Sequence, residues 1–186
     1  MNTDLKRMAD EAAFSVSDLL DETRADEFDA LSDLQKVQWR YAHADCDDFA
    51  QALHEITGWP IVALSHPKRG PVHRLCQNDQ GALVDVHGTT TLTELIHRYH
   101  LRQGAVQPVQ RSMCTLDPES LCGVIDEIEV LGSLGLSPFN ATDFSQRCER
   151  ARQNLRAGSD EDPSAASAPG AMTCAPKHPC EPSAGA

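Results

Sequence analysis

The stretch DCDDFAQALHEITGWP, residues 45–60, decides how the middle of this 186-residue chain folds. Four of its side chains recur at the spacing i, i+3, i+7 and i+10, which places them on one face of a helix. These four are Cys46, Phe49, Leu53 and Ile56. Gly58 can end that helix in the left-handed conformation, and Pro60 follows where no helix can continue. We therefore expect an amphipathic helix over residues 45–57, with a cysteine in its first turn.

The first turn of this helix is rich in aspartate. Asp45 is expected to cap the helix with its carboxylate, and Asp48 lies at the third helical position, a variant of the capping box. The positive end of the helix dipole also favours Asp47. The helix is therefore predicted to be capped at Asp45, immediately before Cys46.

Beyond the helix the pattern changes to short apolar runs, which predict strands over residues 60–64, 72–77 and 82–87. The last two strands are joined by NDQG, residues 78–81. Asn at the first position and Gly at the fourth are typical of a type I turn closed by a left-handed glycine, which makes a three-residue hairpin loop. This loop pairs position 73 with position 87, and position 75 with position 85.

The register of this hairpin bears directly on function. With a three-residue loop, His73, Asp85 and His87 share one face of the hairpin. A two-residue loop would shift the pairing by one residue and place His73 and Asp85 on opposite faces.

Apolar residues at helical spacing predict further helices on both sides of this centre. These helices occupy the first forty residues and residues 89–101, 117–128 and 141–155. Residues 157–186 have no apolar periodicity and almost no large apolar side chain, so this segment is predicted to be a disordered tail. The predicted fold class is α+β: N-terminal helices, the cysteine-bearing helix packed on a small antiparallel sheet, and C-terminal helices. They form a single domain of residues 1–156.

The composition narrows the classes of partner and compartment. With 28 acidic and 16 basic residues the formal net charge is -12, which argues against a nucleic-acid backbone or an anionic membrane as the main partner. The N-terminus lacks the apolar core of a signal peptide, and no apolar run is long enough to span a membrane. A cytoplasmic location is expected, and export by a route without a cleaved signal stays open. The sequence leaves the oligomeric state open.

The cysteines are interpreted as individual thiols. Their number, seven, is odd, and the chain shows no secretory signal, so a disulfide framework is not expected. Cys174 and Cys180, with His178 between them, have some metal-ligand character but match no standard zinc spacing. No metal site is therefore predicted.

Cys46, His73 and Asp85 are the candidate catalytic residues. A helix N-terminus lowers the pKa of a thiol and so favours the nucleophilic thiolate. A histidine must then take the thiol proton, and a carboxylate must orient the histidine, which are the roles predicted for His73 and Asp85. The flanking carboxylates of Asp47 and its neighbours act in the opposite direction, because negative charge disfavours a thiolate.

The order of these residues and elements resembles the papain-like and transglutaminase-like cysteine hydrolase fold. In that fold a cysteine opens a central helix packed on an antiparallel sheet, and His and Asp or Asn lie on adjacent strands. The matching pieces are DCDDFA (residues 45–50), His73 at the start of a strand, and Asp85 in LVDVHG (residues 83–88). Residues 46–88 also resemble small bacterial proteins of this kind, whose cysteine helix ends in Thr-Gly-x-Pro and is followed by Asp-x-x-Gly.

The resemblance implies a thiol hydrolase or acyltransferase of the peptidase, deamidase or amidase type. Its substrate would be a peptide or protein, and no cofactor is implied. An upstream glutamine often lines the oxyanion site in this fold, and Gln35 and Gln38 are available. The alternative is a catalytically inactive member of the fold that acts as a regulatory or protein-binding module.

Other residues that could carry chemistry are weaker candidates. His87 is an alternative base because it shares the face of Asp85, and His43 is interpreted as part of the link before Cys46. Packing or surface positions are expected for Trp59, His97, His100, Cys114, Cys122 and Cys148.

Overall fold

Helices flank a central antiparallel sheet in the computed structural model of the chain. The structure describes residues 3–66, 70–99, 106–108, 116–134 and 141–159. The helices in these ranges are α1 (Thr3–Val16), α2 (Glu22–Asp29), α3 (Asp33–His43), α4 (Cys46–Thr57), α5 (Leu92–Arg98), α6 (Pro118–Ser133) and α7 (Ala141–Ser159), with a 3-10 turn at Ser17–Leu19. The strands are β1 (Ile61–His66), β2 (Gly70–Gln77), β3 (Leu83–Asp85), β4 (Gly88–Thr90) and β5 (Val106–Pro108). This arrangement confirms the predicted α+β class.

The described strands form one sheet in the order β4-β3-β2-β1-β5, and every neighbouring pair is antiparallel. Cys76 pairs with Val84 in the β2–β3 ladder. Gly81 has a φ of +79°, and its N–H donates to the Asn78 carbonyl over 2.9 Å. The predicted three-residue loop is therefore confirmed, and the predicted register holds where β2 and β3 pair, whereas the predicted pairing of position 73 with position 87 was wrong.

The second half of this hairpin differs from the prediction. β3 ends at Asp85, which pairs with Gly88, so Val86 and His87 form a tight turn into β4. Gly88 allows this turn because its φ is +91°, a left-handed value that other residues rarely adopt. The predicted strand over residues 82–87 was too long, and the placement of His87 on a strand face was wrong.

The helix predicted over residues 89–101 begins later and ends earlier. Residues 88–90 belong to β4, and Thr91 then starts α5 with a capping box. Its hydroxyl accepts from the Glu94 N–H over 3.2 Å, and the Glu94 carboxylate accepts from the Thr91 N–H over 2.8 Å. These reciprocal bonds satisfy backbone N–H groups that have no partner within the helix at its start.

The sheet separates two layers of the core. Along β2, Cys76 faces α4, where its thiol donates to the Ala50 carbonyl over 3.3 Å. On the side that faces α4, Val84 of the sheet belongs to one large buried cluster with Phe49 and Leu53 of α4. Residues of α1, α3, α6 and α7 also belong to this cluster. The predicted packing of the cysteine-bearing helix on the sheet is thus confirmed.

The opposite side of the sheet is covered by α5. Leu64, Leu75 and Leu83 form a second cluster there with Leu95, the buried residue of α5. Because side chains alternate along a strand, His73 lies on this second side with Leu75, whereas Cys76 lies on the first.

The last described helix is longer than the sequence predicts. Helix α7 continues to Ser159, beyond the predicted end at residue 155. The rest of the predicted tail, residues 160–186, lies outside the described residues, as do Cys114, His100 and the Cys174–Cys180 pair. Among the described helices, none is long and apolar enough to cross a membrane.

Candidate functional site

Cys46 is the first residue of α4, and its side chain is buried, with 3% of the residue exposed. The preceding Asp45 does not cap the helix, so the predicted cap was wrong. Its carboxylate instead accepts from Arg40 Nε over 2.7 Å and from Ser15 Oγ over 3.1 Å. A guanidinium within reach is a stronger partner for a carboxylate than a neutral backbone amide, because both groups are charged.

The aspartates beside Cys46 are compensated by arginines. Asp45 forms an ion pair with Arg40, and Asp47 forms one with Arg74 of β2. The other carboxylate oxygen of Asp47 lies 3.5 Å from Cys46 Sγ, within the range of a weak thiol hydrogen bond. Because two of the three flanking negative charges are neutralised, their opposition to a thiolate is weaker than the sequence suggests.

His73 and Asp85 come together as the hairpin register predicts. His73 Nε2 lies 3.5 Å from Asp85 Oδ2, and each side chain is only 1% exposed. The other carboxylate oxygen, Oδ1, accepts from the backbone N–H of His87 over 2.8 Å. Arg98 of α5 donates to Oδ2 over 3.1 Å. Asp85 is thus held from three directions.

The charge of Asp85 decides which nitrogen of His73 carries the proton. Burial by itself would raise the pKa of Asp85, but the hydrogen bond with His73 and the nearby positive charges hold that pKa below its ordinary value. The carboxyl group is therefore ionised near neutral pH and can only accept hydrogen bonds. We infer that Nε2 of His73 carries the hydrogen and that the lone pair of the neutral ring is at Nδ1.

That second nitrogen is available for chemistry. His73 Nδ1 is buried and makes no hydrogen bond to the described residues. A buried polar atom without a partner is costly, and it is uncommon outside functional sites unless water fills the place. A lone pair at this position is what a general base requires.

Tyr99, which follows α5, contacts the ring of His73. Its ring stacks on the His73 ring with the centroids 4.5 Å apart, and its hydroxyl lies 3.3 Å from Nε2. Burial raises the pKa of Tyr99, and the negative charge of Asp85 raises it further. The Tyr99 ring also lies 6.0 Å from the ring of His43, three residues before Cys46. Direct contact between Cys46 and His73 stays a prediction, because α4 and the His73 side chain lie on opposite sides of the sheet.

The alternative bases are less suitable than His73. His87 lies in the turn after β3. The hydrogen bond that it donates to Asp85 comes from its backbone N–H and not from its ring. His43 is half-buried, and burial together with the positive charges of His73 and Arg24 lowers the pKa of His43 to about 4. His43 is thus neutral at pH 7, and its ring lies 6.0 Å from that of Tyr99.

The other cysteines in the described part serve mainly in packing. Cys76 and Cys148 are fully buried, and burial raises the pKa of each thiol to about 12. Both should therefore be unreactive near neutral pH. Cys122 is half-buried on α6. The packing interpretation is confirmed for Cys148.

Three other predicted positions can be compared with the structure. His97 is exposed, as predicted, and Trp59 packs against the large core cluster. Gln35 was a candidate for the oxyanion site, but its side chain closes the capping box of α3 with Ser32. The Gln35 side chain is therefore engaged at the start of α3 and not at an oxyanion site.

A buried polar network joins the cysteine helix to the opposite layer of helices. Tyr41 donates to Glu127 of α6 over 2.6 Å, and Arg40 lies 3.3 Å from the same carboxylate. Arg40 also holds Asp45, so this network ends at the residue that precedes Cys46. Sequence reasoning missed it, because Tyr41 and Glu127 are 86 positions apart.

A cavity of about 890 Å³ opens beside this network. It is lined by one face of α1 and by Arg40. Ser15 and Arg40, which hold Asp45, border it, but Cys46, His73 and Asp85 do not. The cavity therefore approaches the cysteine helix without reaching the candidate catalytic residues.

The described residues contain no group of three or more His, Cys, Asp or Glu side chains placed to hold a metal ion. Comparisons with protein-family models, with curated proteins and with solved structures found no match to this chain. The resemblance to the papain-like fold therefore depends on the residues and their geometry alone.

Proposed function

We propose that this protein is a thiol hydrolase or acyltransferase that acts on an amide or thioester of a peptide or protein. Cys46 would be the nucleophile, His73 the general base and then the acid, and Asp85 the residue that orients His73. The observation that carries the proposal is the buried His73–Asp85 pair, in which Nε2 faces the carboxylate and Nδ1 makes no hydrogen bond to any described residue.

The proposed chemistry requires Cys46 Sγ to come within hydrogen-bond reach of His73 Nδ1. The Cys46 thiol gives its proton to His73 Nδ1, and the thiolate attacks the carbonyl carbon of the substrate. When the tetrahedral intermediate collapses, the leaving amine or thiol takes the proton from Nδ1 and an acyl-thioester remains on Cys46. Water then releases the acyl group as an acid, or an amine acceptor takes it as a new amide. Asp85 stays ionised throughout and stabilises the imidazolium.

A second candidate function is a binding module without catalysis. The observation in its favour is the low exposure of Cys46, at 3%, since a buried cysteine is most often a packing residue. This alternative assigns the site a structural role and predicts no selective thiol reactivity.

Site-resolved alkylation separates the two functions. We expect iodoacetamide at pH 7 to modify Cys46 faster than Cys76 and Cys148, whose thiol pKa values are raised to about 12. The modified sites are identified by mass spectrometry of peptides taken at successive times. His73→Ala should abolish the preference for Cys46, and Asp85→Ala should reduce it less, because the base is then present but poorly oriented.

The control is a variant that leaves the site intact. His97→Ala removes an exposed histidine of α5 and should leave the alkylation rate of Cys46 unchanged. If Cys46 of the unaltered protein reacts no faster than Cys76, and His73→Ala changes nothing, Cys46 is a packing residue and the enzyme proposal is wrong.

A further inference from the structure

The contact between His73 and Asp85 is too long to hold the imidazole by itself. The 3.5 Å from Nε2 to Oδ2 is at the outer limit of hydrogen bonding, where such interactions are weak. A general base must keep one nitrogen aimed at the proton it takes, so further contacts must hold the ring of His73.

Tyr99 supplies two such contacts. Its ring stacks on the imidazole at 4.5 Å between centroids with an angle of 26° between the planes, which restricts the tilt of the ring. Its hydroxyl oxygen lies 3.3 Å from Nε2 and can share the hydrogen that Nε2 presents to Asp85. A stacked face and a bonded edge together leave Nδ1 on the free edge of the ring.

Arg98 acts one step further out, on the carboxylate. Its Nη1 donates over 3.1 Å to Asp85 Oδ2, the same oxygen that faces His73. The guanidinium therefore fixes the direction in which that oxygen points. It remains 34% exposed, so it approaches the buried pair from the surface.

Helix α5 is anchored well enough to give these two side chains a defined place. Its start is closed by the capping box between Thr91 and Glu94, and Leu95 is fully buried against the sheet. Arg98 is the last residue of α5 and Tyr99 is its C-cap. The anchoring of this one short helix therefore sets the positions of both side chains.

We propose that Arg98 and Tyr99 are positioning residues of the candidate site: Tyr99 fixes the plane and the Nε2 edge of His73, and Arg98 fixes the carboxylate of Asp85, so that Nδ1 stays unprotonated and faces the proton donor. The catalytic meaning of this inference rests on the proposed function. The placement of the imidazole proton does not, and it can be measured whether or not Cys46 is reactive.

The first experiment measures that proton directly. The full chain is labelled with nitrogen-15 histidine, and long-range proton–nitrogen spectra at pH 7.5 report which ring nitrogen of each histidine carries hydrogen. His73→Gln identifies the His73 signals. We expect an unprotonated Nδ1 in the unaltered protein, and a mixture of both tautomers in Tyr99→Leu and in Arg98→Met. Tyr99→Phe keeps the stacked ring and should give a smaller change.

Matched variants control for the substitutions themselves. Tyr41→Phe removes the other tyrosine hydroxyl, which bonds Glu127, and Arg150→Met removes an exposed arginine of α7. Neither should alter the His73 signals. The inference is wrong if His73 carries its hydrogen on Nδ1, or if Tyr99→Leu and Arg98→Met leave the tautomer unchanged while the protein stays folded.

The second experiment connects the positions to the chemistry. In Tyr99→Phe, alkylation of Cys46 at pH 7 should slow about fivefold, the effect of losing one neutral hydrogen bond. In Arg98→Met it should slow about tenfold, since a charge-assisted bond is lost. Altered tautomers without any Cys46 reactivity would retain the positioning inference and reject the proposed function. Selective Cys46 reactivity that neither variant slows would reject the positioning inference alone.

Discussion

The hydroxyl of Tyr41 should contribute more to stability at neutral pH than in acid. Tyr41 is 1% exposed, and its hydroxyl donates over 2.6 Å to Glu127, a carboxylate otherwise held by Arg40. Tyr41→Phe removes this bond but keeps the ring, whose centroid lies 5.1 Å from that of the Phe49 ring. A hydrogen bond to a charged group is worth about 1.5–3 kcal/mol, so we expect a loss of about 2 kcal/mol at pH 7.

The pH dependence follows from Glu127. Burial raises the pKa of Glu127 above its ordinary value, and the bond from Tyr41 opposes that rise. A carboxyl group with a raised pKa in the folded state stabilises the fold most in acid, and loses that contribution as the pH rises through the folded pKa. Without the Tyr41 hydroxyl the pKa of Glu127 rises further, so the deficit of the variant grows between about pH 4 and pH 7.

Urea unfolding at both pH values is the assay. The difference in unfolding free energy between Tyr41→Phe and the unaltered protein should be about twice as large at pH 7 as at pH 4, because a neutral carboxyl accepts a weaker bond. At pH 7 the melting temperature should fall by about 4–8 °C. In a Glu127→Gln background the same substitution should lose its pH dependence. Equal deficits at pH 4 and pH 7 in the otherwise unaltered chain would refute this reasoning.

Substitutions at two further positions test the hairpin and the charges around the cysteine. Gly81→Val should lower the melting temperature more than Gly81→Asn, because the φ of +79° suits asparagine better than a β-branched residue. Among the described residues, the nearest atom to an added Cβ is Gln77 Nε2 at 3.9 Å, so equal losses would mean that backbone conformation does not set the cost. Arg74→Met should slow the alkylation of Cys46 at pH 7 by about three- to tenfold, because the charge of Asp47 is then unbalanced. An unchanged rate would show that Asp47 does not influence the thiol.

The sequence predicted the elements that depend on neighbours along the chain. The spacing of Phe49, Leu53 and Ile56 indicates the helix, and Gly58, with a φ of +74°, ends it as expected. The hairpin loop was predicted because its turn type depends on the residues at 78–81 alone. The contact of His73 with Asp85 follows from this loop, because its length places both side chains on one face of the hairpin.

The sequence was misleading where a tertiary partner competes with a local one. Asp45 is a good capping residue, but Arg40 and Ser15 take its carboxylate. The sequence predicts a helix from residue 89, where the structure has the three-residue strand β4. This strand is too short for a recognisable alternation of apolar residues, and it depends on pairing with β3. In such places the stronger or more numerous contacts of the folded state override local preference.

The α+β class, the cysteine at a helix start, and the hairpin that joins a histidine to an aspartate can thus be predicted from the sequence. The ion pair of Arg74 with Asp47, and the contacts of Arg98 and Tyr99 with the His73–Asp85 pair, become visible only in the folded chain. The difference lies in the distance along the chain. Periodicity and turn chemistry act over a few residues, whereas an ion pair or a stacked ring forms between residues 13 to 27 positions apart, and no local pattern marks them.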